Sequence, residues 1–282
     1  MSKNIEVLIA KNAGFCFGVK RAIDMAFDAA RKCERVYTLG PIIHNPQEIE
    51  KLKSEGVLIT DNIDDDSIKT LIIRTHGVSE DISNKLAKKS YKVIDATCPF
   101  VKKAQQYAKL LKEEGYQVVI IGDKEHPEVK GLMSYAGEDV VVVNANDPMP
   151  RIKSRVGIIV QTTQPVDVLK RFLNDIVEYA KEIKVFNTIC NSTALRLKET
   201  KEISKKVDVM IVVGGKNSAN TTQLAQMCRS ELIPTYHIET ASEIKREWFI
   251  KADRVGVTAG ASTPDWIIKE VEEFIRNIGG NG

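Results

Sequence analysis

The chain has 282 residues, 28% of them charged and 43% hydrophobic, with a formal net charge of +3. That charge is too small, and the lysines too evenly spread over helix faces, to give nucleic acid an electrostatic footprint. No N-terminal stretch has the order of a signal peptide and no apolar run reaches the ~18 residues of a membrane helix, so the cytoplasm is expected and a membrane partner is not.

Strands and helices alternate along the chain. Ile5 to Ala10 reads as a strand leading to Cys16, and Val19, Ile23, Ala26, Phe27 and Ala30 then recur at helical spacing to about Lys32. Val36 to Leu39 is a strand, Pro46 to Ser54 a helix, Thr70 to Ile73 a strand ending at His76, and Ile82 to Lys88 a helix. Lys92 to Asp95 is a strand that runs into Cys98, and Val101, Ala104, Ala108 and Leu111 mark a helix up to Gly115. Pro99 suits the first turn of that helix, where its missing N–H has no intrahelical partner. The positive end of a helix favours an anionic sulfur, whether as nucleophile or as metal ligand.

A second round follows in the same order. It has strands at Gln117 to Ile121, Val140 to Val143 and Val156 to Val160, and a helix from Pro127 to about Tyr135. A long helix from Val166 to Glu182, carrying Val168, Phe172, Ile176 and Tyr179, precedes a strand at Lys184 to Asn187 that feeds Cys190. The third round has strands at Val209 to Val213, Thr235 to Ile238 and Arg254 to Thr258, and a helix from Pro264 to about Ile278.

The rounds are copies of one unit. Cys98 lies 82 positions after Cys16 (98 − 16) and Cys190 lies 92 after Cys98 (190 − 98), each between an apolar run and a helix. The same two offsets carry Leu39-Gly40-Pro41-Ile42-Ile43-His44 onto Ile121-Gly122-Asp123-Lys124-Glu125-His126 and then onto Val213-Gly214-Gly215-Lys216-Asn217-Ser218. Arg74-Thr75-His76-Gly77, Gln161-Thr162-Thr163 and Gly260-Ala261-Ser262-Thr263 form a third set with looser spacing. An internal period of this kind predicts three supersecondary copies. They are an α/β unit at 14–97, a second at 98–189, and a third at 190–282 completed by residues 1–13, whose strand Ile5 to Ala10 supplies the one the third copy lacks. Alternation predicts parallel sheets covered by helices, with the site beyond the carboxyl ends of the strands.

Three copies about a pseudo-threefold axis would bring Cys16, Cys98 and Cys190 to one point. The five cysteines are odd in number and far apart, which argues against a disulfide framework. Three thiolates without an obvious fourth suit a cuboidal iron-sulfur cluster with one open iron. A three-ligand catalytic zinc with water in the fourth place, or three buried thiols, stay open. Cys33 and Cys228 fall in or at helices and read as structural, as does His237 inside a strand. The remaining loops supply His44, His76, His126, Glu128, Thr162, Ser218, Asn220 and Ser262. Helix N-termini with such side chains suit an anion such as a diphosphate. Glu128 is the natural proton donor, a role that needs burial or neighbours to raise its pKa. A favourable charge in a first helical turn is the plainer reading.

Ala13-Gly14-Phe15-Cys16-Phe17-Gly18-Val19, Thr75-His76-Gly77-Val78-Ser79, Asp95-Ala96-Thr97-Cys98-Pro99, His126-Pro127-Glu128-Val129, Gln161-Thr162-Thr163, Gly215-Lys216-Asn217-Ser218 and Val257-Thr258-Ala259-Gly260-Ala261-Ser262 together resemble the 4-hydroxy-3-methylbut-2-enyl diphosphate reductases of the non-mevalonate isoprenoid pathway. The resemblance spans essentially the whole chain. It implies a trefoil of three α/β units around a 4Fe-4S cluster held by Cys16, Cys98 and Cys190. It also implies reductive removal of the allylic hydroxyl to give isopentenyl and dimethylallyl diphosphate. Within that resemblance Glu128 with Thr162 delivers protons, with His126 beside them, and His44, His76, His126, Thr162, Ser218, Asn220 and Ser262 bind the substrate. An electron-donor protein such as ferredoxin or flavodoxin is the implied partner. The sequence departs from the family at Ala219, where many members have serine, and at Asn191-Ser192-Thr193. Competing readings are a zinc hydrolase of a phosphorylated substrate and a non-enzymatic iron-sulfur redox sensor or scaffold.

Overall fold

The computed structural model describes residues 5–145 and 147–280. Its strands lie in three four-stranded sheets, and the pairings within each sheet are parallel. The chain divides into two compact bodies: residues up to Lys20 with Ile43–Lys51 and the residues from Asn191 on, and Arg21–Ile42 with Leu52–Cys190.

The second body holds two sheets. One is built from β2 (Val36–Leu39), β3 (Val57–Thr60), β4 (Thr70–Ile73) and β5 (Lys92–Asp95), in the order β3-β2-β4-β5. The other has β6 (Gln117–Ile121), β7 (Val141–Val143), β8 (Arg155–Val160) and β9 (Glu182–Val185), in the order β7-β6-β8-β9. The first body holds β1 (Glu6–Ile9), β10 (Val209–Val213), β11 (Thr235–Ile238) and β12 (Arg254–Ala259), in the order β11-β10-β12-β1. Each sheet is thus the same pattern, with β1 in the place of β5 and β9. Glu6 stands opposite Arg254 and Ile9 opposite Val257.

Strands β4, β6, β8, β10 and β12 are buried on both faces, which is why they read as continuous apolar runs, whereas β2, also central, alternates. In the first body, Ile211, Val213, Val257 and Val271 form the core on one face of the sheet, and Met210, Val212 and Leu224 the core on the other. In the second body, Ile120 and Ile159 pack with Leu111 and Leu132, while Val119, Ile158 and Val160 pack with Leu169 and Ile176. Gly157 in β8 lets its covering helix come close, since a β-carbon there would lie 2.5 Å from Leu111 Cδ2.

The helices are α1 (Phe17–Lys32), α2 (Pro46–Ser54), α3 (Glu80–Leu86), α4 (Pro99–Glu113), α5 (Pro127–Ala136), α6 (Val166–Ile176), α7 (Asn191–Ser204), α8 (Ala219–Ser230) and α9 (Asp265–Gly280). Three expectations need correction. The helix opening at Val166 stops at Ile176 rather than Glu182, because the backbone turns through Tyr179 N to Ile176 O at 3.0 Å and Glu182 joins the ladder opposite Arg155. The following strand accordingly starts two residues early. Helix α3 also starts two residues early, at Glu80, because the Ser79 hydroxyl caps it by accepting from Ile82 N at 3.4 Å. Strand β3 was not foreseen; it is a short edge strand with Leu58 and Ile59 exposed. Among the described residues, no helix is long and apolar enough to cross a membrane.

Candidate functional site

The three cysteines stand in the same main-chain setting. Each follows the edge strand of a sheet and immediately precedes a helix: Cys98 before α4, Cys190 before α7 and Cys16 before α1. Each amide donates to the carbonyl of a loop residue beyond the neighbouring strand. Cys98 N reaches Thr75 O at 2.9 Å, Cys190 N reaches Thr162 O at 2.8 Å, and Cys16 N reaches Ala261 O at 3.2 Å. These acceptors belong to the third loop set recognised in the sequence. The strand-end turns match too: Asp95 Oδ1 accepts from Thr97 N at 3.0 Å, and Asn187 Oδ1 accepts from Ile189 N at 3.2 Å. All three cysteines are half-buried, and none of the five is in a disulfide. Cys228 behaves differently, being fully buried with its thiol pushed up to about 12 by that burial.

In the second body a chain of contacts joins six of the expected residues. Thr75, whose carbonyl anchors Cys98, is followed by His76, and the His76 ring meets the His126 ring edge-on with centroids 5.4 Å apart. His126 caps α5, its Nδ1 accepting from Glu128 N at 3.2 Å. Pro127 takes the first helical position, as in α4. Glu128 is 2% exposed, and both of its oxygens accept from Thr162: the amide to Oε1 at 2.7 Å and the hydroxyl to Oε2 at 2.8 Å. Thr162 in turn receives the Cys190 amide.

Burial pushes the Glu128 carboxyl up to about 7 against the opposing pull of the two Thr162 hydrogen bonds. A carboxyl so placed holds a proton near neutral pH and can give it up. When it is protonated, Oε2 can donate to the threonine hydroxyl, which has a proton of its own to pass on.

The first body groups the others. Ser262 Oγ donates to His44 O at 3.2 Å, and Ser262 follows Ala261, the anchor of Cys16. A β-carbon at Gly215 would lie 3.1 Å from His44 O, so the Gly215–Ser218 loop passes against His44 because position 215 is a glycine. Ser218 caps α8, its hydroxyl accepting from Thr221 N at 3.4 Å. The Asn220 amide oxygen and the Thr221 hydroxyl are buried with no hydrogen-bond partner among the described residues. The Thr221 hydroxyl can donate to an oxygen of a ligand at this helix start, whereas the Asn220 oxygen only accepts and suits a donor such as a ligand hydroxyl. The side chain of Ala219 lies outside what the structure describes. His237 spends Nε2 on Gly214 O at 2.9 Å, a structural contact.

The residue types alone assign Thr75 no role. The signal was the repeat itself, since Thr75 and Thr162 occupy the same place and each receives the next cysteine's amide. Thr75 also fixes its loop by donating Oγ1 to Ile42 O at 2.9 Å.

A family model described as LytB protein matches residues 7–276. The 4-hydroxy-3-methylbut-2-enyl diphosphate reductase of Pelobacter propionicus is 51% identical over 277 residues, covering 97% of this chain and 99% of the relative. The protein of the same name from Geobacter sulfurreducens is 50% identical, covering 97% and 98%. A solved structure of (E)-4-hydroxy-3-methyl-but-2-enyl diphosphate reductase, described as the terminal enzyme of the non-mevalonate pathway, matches with a TM-score of 0.76 and 46% identity over 97% of this chain and 99% of that one. The Plasmodium falciparum E-1-hydroxy-2-methyl-but-2-enyl-4-diphosphate reductase matches with a TM-score of 0.86 and 27% identity over 97% and 88%.

Proposed function

We propose that the chain, which belongs to the LytB protein family, reduces (E)-4-hydroxy-3-methylbut-2-enyl diphosphate to isopentenyl and dimethylallyl diphosphate, the last step of the non-mevalonate pathway. Two electrons and two protons enter, the allylic C–O bond breaks, and the hydroxyl leaves as water. The observation that carries this reading is the buried Glu128, bonded through both oxygens to Thr162. The relatives compared all carry the reductase name, and this sets aside the zinc hydrolase.

Cys16, Cys98 and Cys190 are the ligands of a 4Fe-4S cluster with one iron open. Their repeated main-chain setting and the softness of a three-thiolate donor set support this. When bound, such a cluster supplies the electrons and a Lewis-acidic iron for the departing hydroxyl. Glu128 is the proton reservoir, the Thr162 hydroxyl passes the proton on, and His126 stands beside them. His44, His76, His126, Ser218, Asn220 and Ser262 hold the diphosphate, and Thr162 also meets the substrate. The anchored diphosphate fixes the carbon skeleton against the proton donor.

The three sheets belong to three units, 14–97, 98–189, and 190–282 with 1–13. The repeated strand order supports that division. Electrons come from a small donor protein such as ferredoxin or flavodoxin, and the reaction runs in the cytoplasm. Anaerobic turnover of the hydroxylated diphosphate with dithionite and a viologen dye, with product analysis, tests the reading. A brown, cluster-loaded protein that leaves this substrate intact would overturn it.

A further inference from the structure

Each helix that follows one of the three cysteines also holds the segment leading into the next. From α1, after Cys16, the Arg21 guanidinium donates to Thr97 O at 3.2 Å and to Asp95 O at 3.3 Å, the turn that enters Cys98. From α4, after Cys98, the Tyr107 ring stacks on Phe186, four residues before Cys190, with centroids 3.9 Å apart and planes 5° from parallel. From α7, after Cys190, Arg196 Nε donates to Asn12 O at 2.8 Å and Nη2 to Gly14 O at 2.8 Å, the loop that enters Cys16. In sequence order the succession closes on itself, and two of its three links are arginine forks onto pairs of main-chain carbonyls.

The Cys16 link is the most complete. Glu199, one turn beyond Arg196, accepts from the amides of Lys11 at 2.7 Å and Asn12 at 2.8 Å. The loop's amides and carbonyls are therefore both satisfied from one helix. Arg196 is 2% exposed. A guanidinium presents its donors in a fixed planar fork, so it sets two carbonyls at once, where an ammonium acts as a single point charge.

We propose that Arg21 and Arg196 are positioning residues for the metal-sulfur centre, each fixing where the next cysteine's sulfur stands. This rests on the reading of the three cysteines as its ligands. Partners one step behind the ligands govern how firmly a metal is kept.

The test uses Arg21→Met and Arg196→Lys, each loaded with cluster anaerobically beside the parent protein. Three quantities are read: the rate of iron loss to a chelator, the electron paramagnetic resonance spectrum of the dithionite-reduced protein, and the melting temperature of the cluster-free chain. The expected result is iron loss faster by roughly 10- to 100-fold with an altered spectrum, while the cluster-free chains melt close to the parent. Arg196→Lys keeps the charge in the buried site, so it guards against a chain that simply fails to fold. Parental iron loss and spectrum in both variants would overturn the proposal. So would faster loss matched by an equally lowered melting temperature, since the arginines would then serve only the fold. A parent protein that takes up no cluster would overturn the ligand reading and the proposal with it, a result visible before any variant is made.

Discussion

Thr162 gives Glu128 both of its hydrogen atoms, the amide proton to one carboxylate oxygen at 2.7 Å and the hydroxyl proton to the other at 2.8 Å. The carboxyl is 2% exposed, and both of these hydrogen bonds tie it to that one threonine. Glu128→Gln keeps the size and can keep both contacts, with the amide oxygen accepting from Thr162 N and the amide nitrogen donating to the hydroxyl. Turnover is expected to fall about 100-fold or more, the range of a lost general acid, while iron content stays at the parental level. Equal loss of both would count against a role in proton delivery.

The same residue predicts a pH dependence of stability. Burial raises the carboxyl from the ordinary 4.5 to about 7. Between those values the folded chain keeps a proton that the unfolded chain has released, so stability falls as pH rises through the window. The ionised form then costs the fold about 3 kcal/mol at most. Glu128→Gln cannot ionise there, so its melting temperature should gain on the parent's between about pH 5 and about pH 8. A gap that stays constant over that range would contradict the buried acid.

Gly157 carries no chemistry, yet it should be among the less tolerant positions. A β-carbon would sit 2.5 Å from the fully buried Leu111 side chain, and the core there has no slack. Gly157→Ala is expected to destabilise the chain by about 1–3 kcal/mol through overpacking, read as a lowered melting temperature with activity per folded molecule unchanged.

Asn220 should behave in the opposite way. Its buried amide oxygen has no partner among the described residues, so truncation removes little that the folded state uses. Asn220→Ala is expected to leave melting nearly unaltered and to raise KM for the diphosphate roughly tenfold or more, the worth of the one hydrogen bond that the side-chain NH2, rather than the accepting oxygen, would give a charged group. A lowered melting temperature with KM unmoved would place Asn220 in the scaffold.

The repeat was legible because each copy carries the same residue types at the same points: a glycine after an apolar run, and a cysteine set between a strand and a helix start. At the first of these glycines, Gly40, φ is +67° and a β-carbon would lie 3.0 Å from Arg74 Nη1. The end of α6 was not legible, since Tyr179 continues the helical spacing while the ladder partner of Glu182 lies in another strand. Strand β3 lies at a sheet edge with Leu58 and Ile59 exposed, so its apolar residues mark no buried face. Arg21 and Arg196 were invisible for a different reason: their partners are main-chain carbonyls 74 to 76 and 182 to 184 positions away, and carbonyls have no letter in a sequence.

The pairing of β1 with β12 bears on how the protein is born. Glu6 must wait for Arg254, a delay of about 10 to 50 s at ordinary ribosomal speed. Until then Cys16 lacks the carbonyl of Ala261 that anchors its amide, so the main-chain setting that the three cysteines share is complete only once nearly the whole chain has been made.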